Sequence, residues 1–351
     1  MLQIDTYRGS TSELVKFVNS VWSHSYLGQM TFPHWTEAFF DWQFRLDAAG
    51  DRRNLIAAYV DDKLAGVLLG TDYPMRLPSG CGKGSQWSWL SIHSDYRGQG
   101  IAKALDRERV LRLQADESKL IVSFRYIGSK SSQAERPDSR TPDPKFNRKI
   151  GFWARVIDAN RFARWHWSGL EGFLAKAASP FCRIPKRRDG RALIREFQAD
   201  DLDSCLNIVQ ASYRKCQLSI NWDRQSLRHQ LNGSPVCKTV VLEQGGQIGG
   251  FVNFHILNFQ AKTVEKVAII DLIAVDKLSS SQATQLLNAS LAEMEAQGVI
   301  LALKLRCGDA PAWPLLRSHF IPEKSDSLLV LQPISGMLNV TKSDSLHILW
   351  R

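Results

Sequence analysis

The sequence predicts an α/β protein built as two tandem domains of one element order. Three observations lead there. Apolar residues switch along the chain between a helical period near 3.6 and a strand period near 2. The segments so defined recur in one order in both halves: strand, two helices, three strands, helix, strand, helix, strand. Between the halves lies a stretch, residues 179–191, with two prolines and five basic residues, which reads as a linker. The length of 351 residues suits two domains at roughly 100–200 residues each.

In the first half, Leu14, Val15, Phe17, Val18, Val21 and Trp22 predict a helix over 12–25, and Trp35, Phe39 and Trp42 a second over 35–46. Residues 54–60 and 63–70 predict two strands, turned back at Asp61-Asp62-Lys63 as a hairpin. The Gly/Pro-rich run from Pro74 to Gly84 reads as a loop. A strand from Trp87 to Ile92, a helix from Ile101 to Leu113 and a strand from Leu120 to Tyr126 follow. The Ser-, Pro- and charge-rich segment 128–145 reads as a long loop. A trailing helix over 160–178 closes the first domain, 1–178. The second domain, 192–335, repeats the order: a strand at 192–197, helices after Asp200-Asp201 and over 222–231, strands at 237–243, 247–257 and 267–275, a helix over 282–296, a strand at 299–305 and a short helix near Trp313–Leu316. Residues 336–351 form a tail.

Composition narrows the functional classes. Apolar residues are 44% and charged residues 23%, near the globular norm, which excludes a disordered or collagen-like chain. No run approaches the ~18 apolar residues of a membrane span, and Met1-Leu2-Gln3-Ile4-Asp5 has no signal-peptide pattern. The six cysteines are scattered without a C-x-x-C pair, so no metal site or disulfide framework is expected, and a cytoplasmic location with reduced thiols is. The charge is lopsided: residues 1–190 carry 29 Lys+Arg against 20 Asp+Glu, residues 191–351 carry 16 against 15. A basic first half points to an anionic ligand or partner. Nucleic acid is not expected, because no basic stretch is interleaved with aromatics and no nucleic-acid motif occurs.

The segment that carries chemistry is 89–105. An apolar strand ends at Ile92, a short polar turn follows, and Arg97-Gly98-Gln99-Gly100-Ile101-Ala102 leads into a helix. A strand–loop–helix junction with glycines exposes backbone N–H groups at a helix N-terminus, where the helix dipole also favours negative charge; it is suited to phosphate. Gly98 and Gly100 permit positive φ and close approach, and Arg97 adds a cation.

These six residues resemble the Q/R-x-x-G-x-G/A motif of the GCN5-related N-acetyltransferase (GNAT) superfamily, which grips the pyrophosphate of coenzyme A. Ile92-His93-Ser94-Asp95-Tyr96 is similar to the approach to that motif, with Ser94 where proline is usual. Phe146-Asn147-Arg148-Lys149-Ile150-Gly151-Phe152 resembles the later segment ending in Gly-Phe. The resemblance spans about residues 1–157. It implies tandem acyl-CoA N-acyltransferase (GNAT-like) domains, each a mixed, mostly antiparallel sheet flanked by helices. In the second half Asp271-Leu272-Ile273-Ala274-Val275-Asp276 matches the strand entering the motif, but Lys277-Leu278-Ser279-Ser280-Ser281 replaces the glycine loop. A degenerate second half is therefore expected.

The resemblance further implies direct attack of an acceptor amine on the thioester of acetyl-CoA or another acyl-CoA. Leu90, Ser91 and Ile92 would supply a backbone N–H to the thioester carbonyl, and Arg97, Gly98, Gln99, Gly100, Ile101 and Ala102 would hold the pyrophosphate. The family's usual strand glutamate is replaced by Ser88 and its usual tyrosine by Asn147. Candidates for the proton transfers are then Ser88, His93, whose imidazole titrates near neutrality, and Tyr126. Small-molecule amines are the expected acceptors; alternatives are an acyl carrier protein as donor, which would suit the basic first half, and a non-catalytic binding module.

Overall fold

The computed structural model describes residues 1–46, 52–127, 146–167, 182–185, 193–325, 327–334 and 338–351. The first half runs β1 (Leu2–Thr6), α1 (Thr11–Tyr26), β2 (Phe32–His34), α2 (Glu37–Phe44), β3 (Leu55–Val60), β4 (Lys63–Leu77), β5 (Gly80–Ile92), α3 (Ile101–Ala115), β6 (Leu120–Tyr126), β7 (Phe146–Ile150), β8 (Phe152–Val156) and α4 (Ala159–Trp165). The second runs β9 (Leu193–Glu196), α5 (Leu202–Tyr213), β10 (Leu218–Ile220), α6 (Arg224–Asn232), β11 (Cys237–Gln244), β12 (Gln247–Gln260), β13 (Val264–Ala274), α7 (Ser280–Ala296), β14 (Val299–Leu305), α8 (Ala312–Arg317), β15 (Ile321–Pro322), β16 (Ser327–Pro333) and β17 (Leu346–His347). Local chemistry starts the helices where the apolar period begins. Ser10 caps α1 in a capping box with Glu13, which satisfies backbone donors the helix itself leaves unpaired.

The strands form two mixed, mostly antiparallel sheets, ordered β1-β3-β4-β5-β6-β16-β7 and β15-β8-β14-β13-β12-β11-β9. Each borrows from the other half. In the first sheet β16 lies between β6 and β7, with Val330 opposite both Ser123 and Asn147. In the second, β8 lies between β14 and β15, with Ala154 opposite Leu303 and Ile321. A smaller exchange accompanies this one: β2 pairs with β12, and β10 pairs with β4. The division at 179–191 therefore does not separate the sheets, because hydrogen bonding assigns β8 and β16 to the opposite halves. The crossover from β7 to β8 turns at Gly151. A Cβ there would come 3.0 Å from the carbonyl oxygen of Glu323, on the returning crossover.

The expected loop from Pro74 to Gly84 is instead paired strand, with Pro74 opposite Lys83 and a turn only at residues 78–79. Its glycines serve close packing: a Cβ on Gly84 would sit 2.6 Å from Met75 Cγ, and one on Gly82 2.9 Å from Lys119 Cγ. Residues 128–145 lie outside the described residues, as do most of the expected linker and the end of the expected helix over 160–178.

Three cores result. α3 covers one face of the first sheet over Ile56, Leu68, Trp87 and Leu105. α7 covers one face of the second over Phe254, Ile270, Leu286 and Leu291. The remaining faces share a third core with α1, α2, α5 and α6, where Phe39, Trp89, Phe251 and Leu272 belong to one cluster. Among the described residues no helix is long and apolar enough to cross a membrane.

Candidate functional site

β5 and β6 are parallel neighbours only from Gly84↔Leu120 to Trp87↔Ser123. Beyond that rung β5 continues to Ile92 and β6 to Tyr126, so the strands part and leave a wedge. On its other edge β5 bulges: Ser88 faces Leu69 and Ser91 faces Val67, so Trp89 and Leu90 together oppose Leu68. A bulge takes its extra residue out of the ladder and re-aims the side chains beside it. Trp89 adopts φ 56°, uncommon for a bulky residue, and drives its indole among Trp35, Phe39, Phe40 and Phe44 at centroid distances of 5.2–6.4 Å. Leu90 is 40% exposed although it sits in a central strand. The wedge thus presents an apolar side chain beside backbone freed from pairing.

The expected binding loop closes the wedge from above. Gly98 and Gly100 have φ 78° and 79°, and a Cβ on either would meet nothing within 4 Å. Gly100 is the N-cap of α3 with no side chain capping the helix. The N–H groups of Gly98, Gln99, Gly100, Ile101 and Ala102 have no hydrogen-bond partner among the described residues. Free donors at a helix N-terminus form an anion site. Ile101 is buried and anchors the helix, while Ala102 is exposed. Arg97 braces the loop: Nε donates to the Ile92 carbonyl at 3.2 Å and Nη2 to Ser25 Oγ at 2.7 Å. Gln99 donates to the Asp95 carbonyl at 3.1 Å. Ser91 is buried, accepting from Trp22 Nε1 at 3.0 Å and donating to the Trp89 carbonyl at 3.1 Å. Leu90, Ser91, Ile92 and the loop residues 97–102 therefore share one end of the first sheet.

The three proton-transfer candidates are not brought together. Ser88 adjoins the bulge and donates to the Arg351 carbonyl at 2.7 Å. His93 lies on the surface before the loop, where Nδ1 accepts from the Asp95 N–H at 3.4 Å as the cap of a short 3₁₀ turn. Tyr126 is half-buried on β6, past the last rung shared with β5 and opposite Ser327 of β16.

The equivalent place in the second half is occupied by the protein itself. α7 starts with a capping box in which Ser279 and Gln282 satisfy each other's backbone N–H. Leu278 packs where β12 carries Gly249 and Gly250; a Cβ on Gly250 would lie 2.8 Å from Leu278 Cδ1. β13 keeps the bulge, at Asp271, between Leu272 and Ile270. Its carboxylate is buried and saturated by His255 Nδ1 at 2.9 Å, Gln230 Nε2 at 2.8 Å and the Arg351 guanidinium. Burial alone would raise this carboxyl; the charges of Arg351 and then His255 outweigh it and hold it well below the usual range.

Sequence reasoning missed the course of the chain from 346 to 351. These residues start in the first sheet and reach Asp271 of the second. β17 pairs with β10, His347 Nδ1 donates to Asp309 Oδ2 at 3.1 Å, and Gln86 Nε2 donates to the Leu349 carbonyl at 3.0 Å. The apolar run Ile348-Leu349-Trp350 was the available signal: a surface tail rarely buries three such residues.

The comparisons agree with this fold. Residues 17–110 match the acetyltransferase (GNAT) family. Among solved structures, Saccharomyces cerevisiae N-myristoyltransferase with bound myristoyl-CoA and inhibitors superposes with TM-score 0.77 at 14% identity, over 100% of this chain and 87% of that one. The same enzyme with bound myristoyl-CoA gives 0.75 at 14%, over 94% and 82%. A GCN5-related N-acetyltransferase from Anabaena variabilis gives 0.55 at 10%, over 95% and 73%. No curated protein sequence matches the chain.

Proposed function

We propose that the chain is a tandem member of the GCN5-related N-acetyltransferase superfamily with a degenerate second half, and that it transfers a short acyl group from acyl-CoA to an amine; the family match of residues 17–110 and the shared fold support this. Acetyl-CoA is the simplest such donor. The observation that carries the reading is the contrast between two helix N-termini in equivalent places: α3 leaves its amides open beside a wedge, whereas α7 caps its own. The donor's pyrophosphate accepts from the amides of 98–102, its pantetheine arm follows the wedge past Leu90, and its thioester reaches the bulge.

The amine nitrogen attacks the thioester carbonyl, the carbon–sulfur bond breaks, and the thiolate takes a proton. Backbone donors at the bulge stabilise the developing oxyanion. Ser88 is the candidate nearest that point, fit to orient the group that receives the ammonium proton. Tyr126, on the opposite wall, is the candidate to protonate the thiolate, whereas the capping bond of His93 favours a structural part. The neighbours' bound donor is myristoyl-CoA, so they lend no support to a carrier-protein donor.

Calorimetric titration with acetyl-CoA tests the reading. The wild type binds, and Gly100→Trp, which forces a bulky side chain onto a positive-φ residue at the amide cradle, abolishes binding. A wild type that binds no acyl-CoA overturns it.

A further inference from the structure

We propose that residues 348–349 set the length of the acyl chain by roofing an apolar cavity at the foot of the wedge; this rests on the acyl-CoA reading above. The cavity is narrow, and Met75, Val122, Ile220, Ile348 and Leu349 supply its apolar lining. Its floor belongs to the first sheet: Tyr73 and Met75 on β4, residues 84–86 on β5 and Val122 on β6. These are the last rungs before β5 and β6 part at Trp87↔Ser123. A chain whose carbonyl sits at the bulge runs, methyl end first, into this cavity.

The roof comes from the second half and is pinned. Ile220 lies on β10, which pairs with β17. The Leu349 carbonyl accepts from Gln86, the Arg351 carbonyl accepts from Ser88, and the Arg351 guanidinium is held by Asp271. A rigid roof discriminates between chain lengths where a mobile one would not. The floor is set by a missing side chain: a Cβ on Gly84 would lie 2.6 Å from Met75 Cγ.

Tyr73 divides this cavity from a second one with a different lining: Gln43, Thr71, Ser226, His229 and Gln230, with Trp42. Hydroxyl, amide and imidazole groups suit a polar acceptor, and the apolar side suits a hydrocarbon chain. The cavity takes about one methyl-sized group, so the chain so housed is acetyl, and 348–349 exclude longer ones. The second half then contributes specificity to a donor site whose phosphates it does not touch.

The test is calorimetric affinity for acetyl-, butyryl-, octanoyl- and myristoyl-CoA, with unfolding curves confirming that each variant is folded. The wild type binds acetyl-CoA tightest. Leu349→Ala and Met75→Ala each shift the ratio of butyryl- to acetyl-CoA affinity upward by about tenfold, the scale of a few methylenes in an apolar pocket, whereas Gly84→Val, which narrows the cavity, does not raise it. Chain-length profiles that run parallel in the wild type and all folded variants overturn the proposal while leaving the acyl-CoA reading standing. A wild type that binds none of the four overturns both.

Discussion

Arg351 and Asp271 meet through two contacts, Nη1 to Oδ1 at 2.7 Å and Nη2 to Oδ2 at 3.0 Å, with both side chains almost fully buried. The guanidinium also stacks over Trp42, 5.0 Å from the ring centroid. Removing one partner strands the other's charge in the interior, which costs about 3–5 kcal/mol. Asp271→Ala and Arg351→Ala therefore each lower the unfolding free energy by about that much in urea titration. The double variant is less destabilised than the sum of the two, because the second substitution removes the stranded charge.

Acid destabilises the protein in two stages. His255 and His347 are buried, and burial holds both imidazoles below their ordinary range. In the unfolded chain they bind protons from about pH 6.5 downward. A depressed folded pKa gives stability that is full above the unfolded value and erodes as pH falls from there towards the folded one. Asp271 and Asp309, held low by Arg351 and by Lys304 respectively against the opposing effect of burial, add a second loss below about pH 3.9. Thermal melts across this range show both limbs. His347→Gln flattens the upper one, lowering stability at pH 8 but reducing its slope between pH 7 and 5.

Leu90 separates binding from stability. It is 40% exposed, so Leu90→Asp changes the unfolding free energy by no more than about 0.5 kcal/mol. On the proposed reading, the same substitution puts a carboxylate on the path of an anionic donor with an apolar arm. Affinity for acetyl-CoA falls about tenfold, which is about 1.4 kcal/mol, read by calorimetry beside a denaturation curve.

We expect neither half to fold alone. A fragment of residues 1–185 lacks β16 and leaves β6 and β7 without the strand between them; one of residues 186–351 lacks β8 between β14 and β15. Each fragment aggregates or stays unstructured by circular dichroism when expressed singly. Co-expressed, the two assemble into a species that elutes at the size of the whole chain. Two separately soluble, folded fragments would contradict this.

Much of the fold was legible because it is written locally. The hairpin at Asp61-Asp62, the strand ending at Ile92 and the glycine junction before α3 each follow from period and turn chemistry, and α3 begins at Ile101 as expected. The run from Pro74 to Gly84 misled because its glycines answer to neighbours, Met75 and Lys119, rather than to a turn. The identity of a strand's partner has no local signature: nothing in the apolar pattern of β16 says that it inserts beside β6. The glycine loop was readable for the same reason that α3 was. The Asp271–Arg351–His255 cluster was not, since its members are far apart in the chain and each alone reads as an ordinary polar side chain.

The exchange of β16 also bears on how the chain is made. β6 leaves the ribosome with its neighbouring place empty, and the strand that fills it follows about 200 residues later. At roughly 5–20 residues per second, that interval is about 10–40 s. Throughout it, β6 and β7 offer unpaired backbone to any passing strand. Slow codons or a holding chaperone over residues 150–320 would therefore govern yield more than the final stability does.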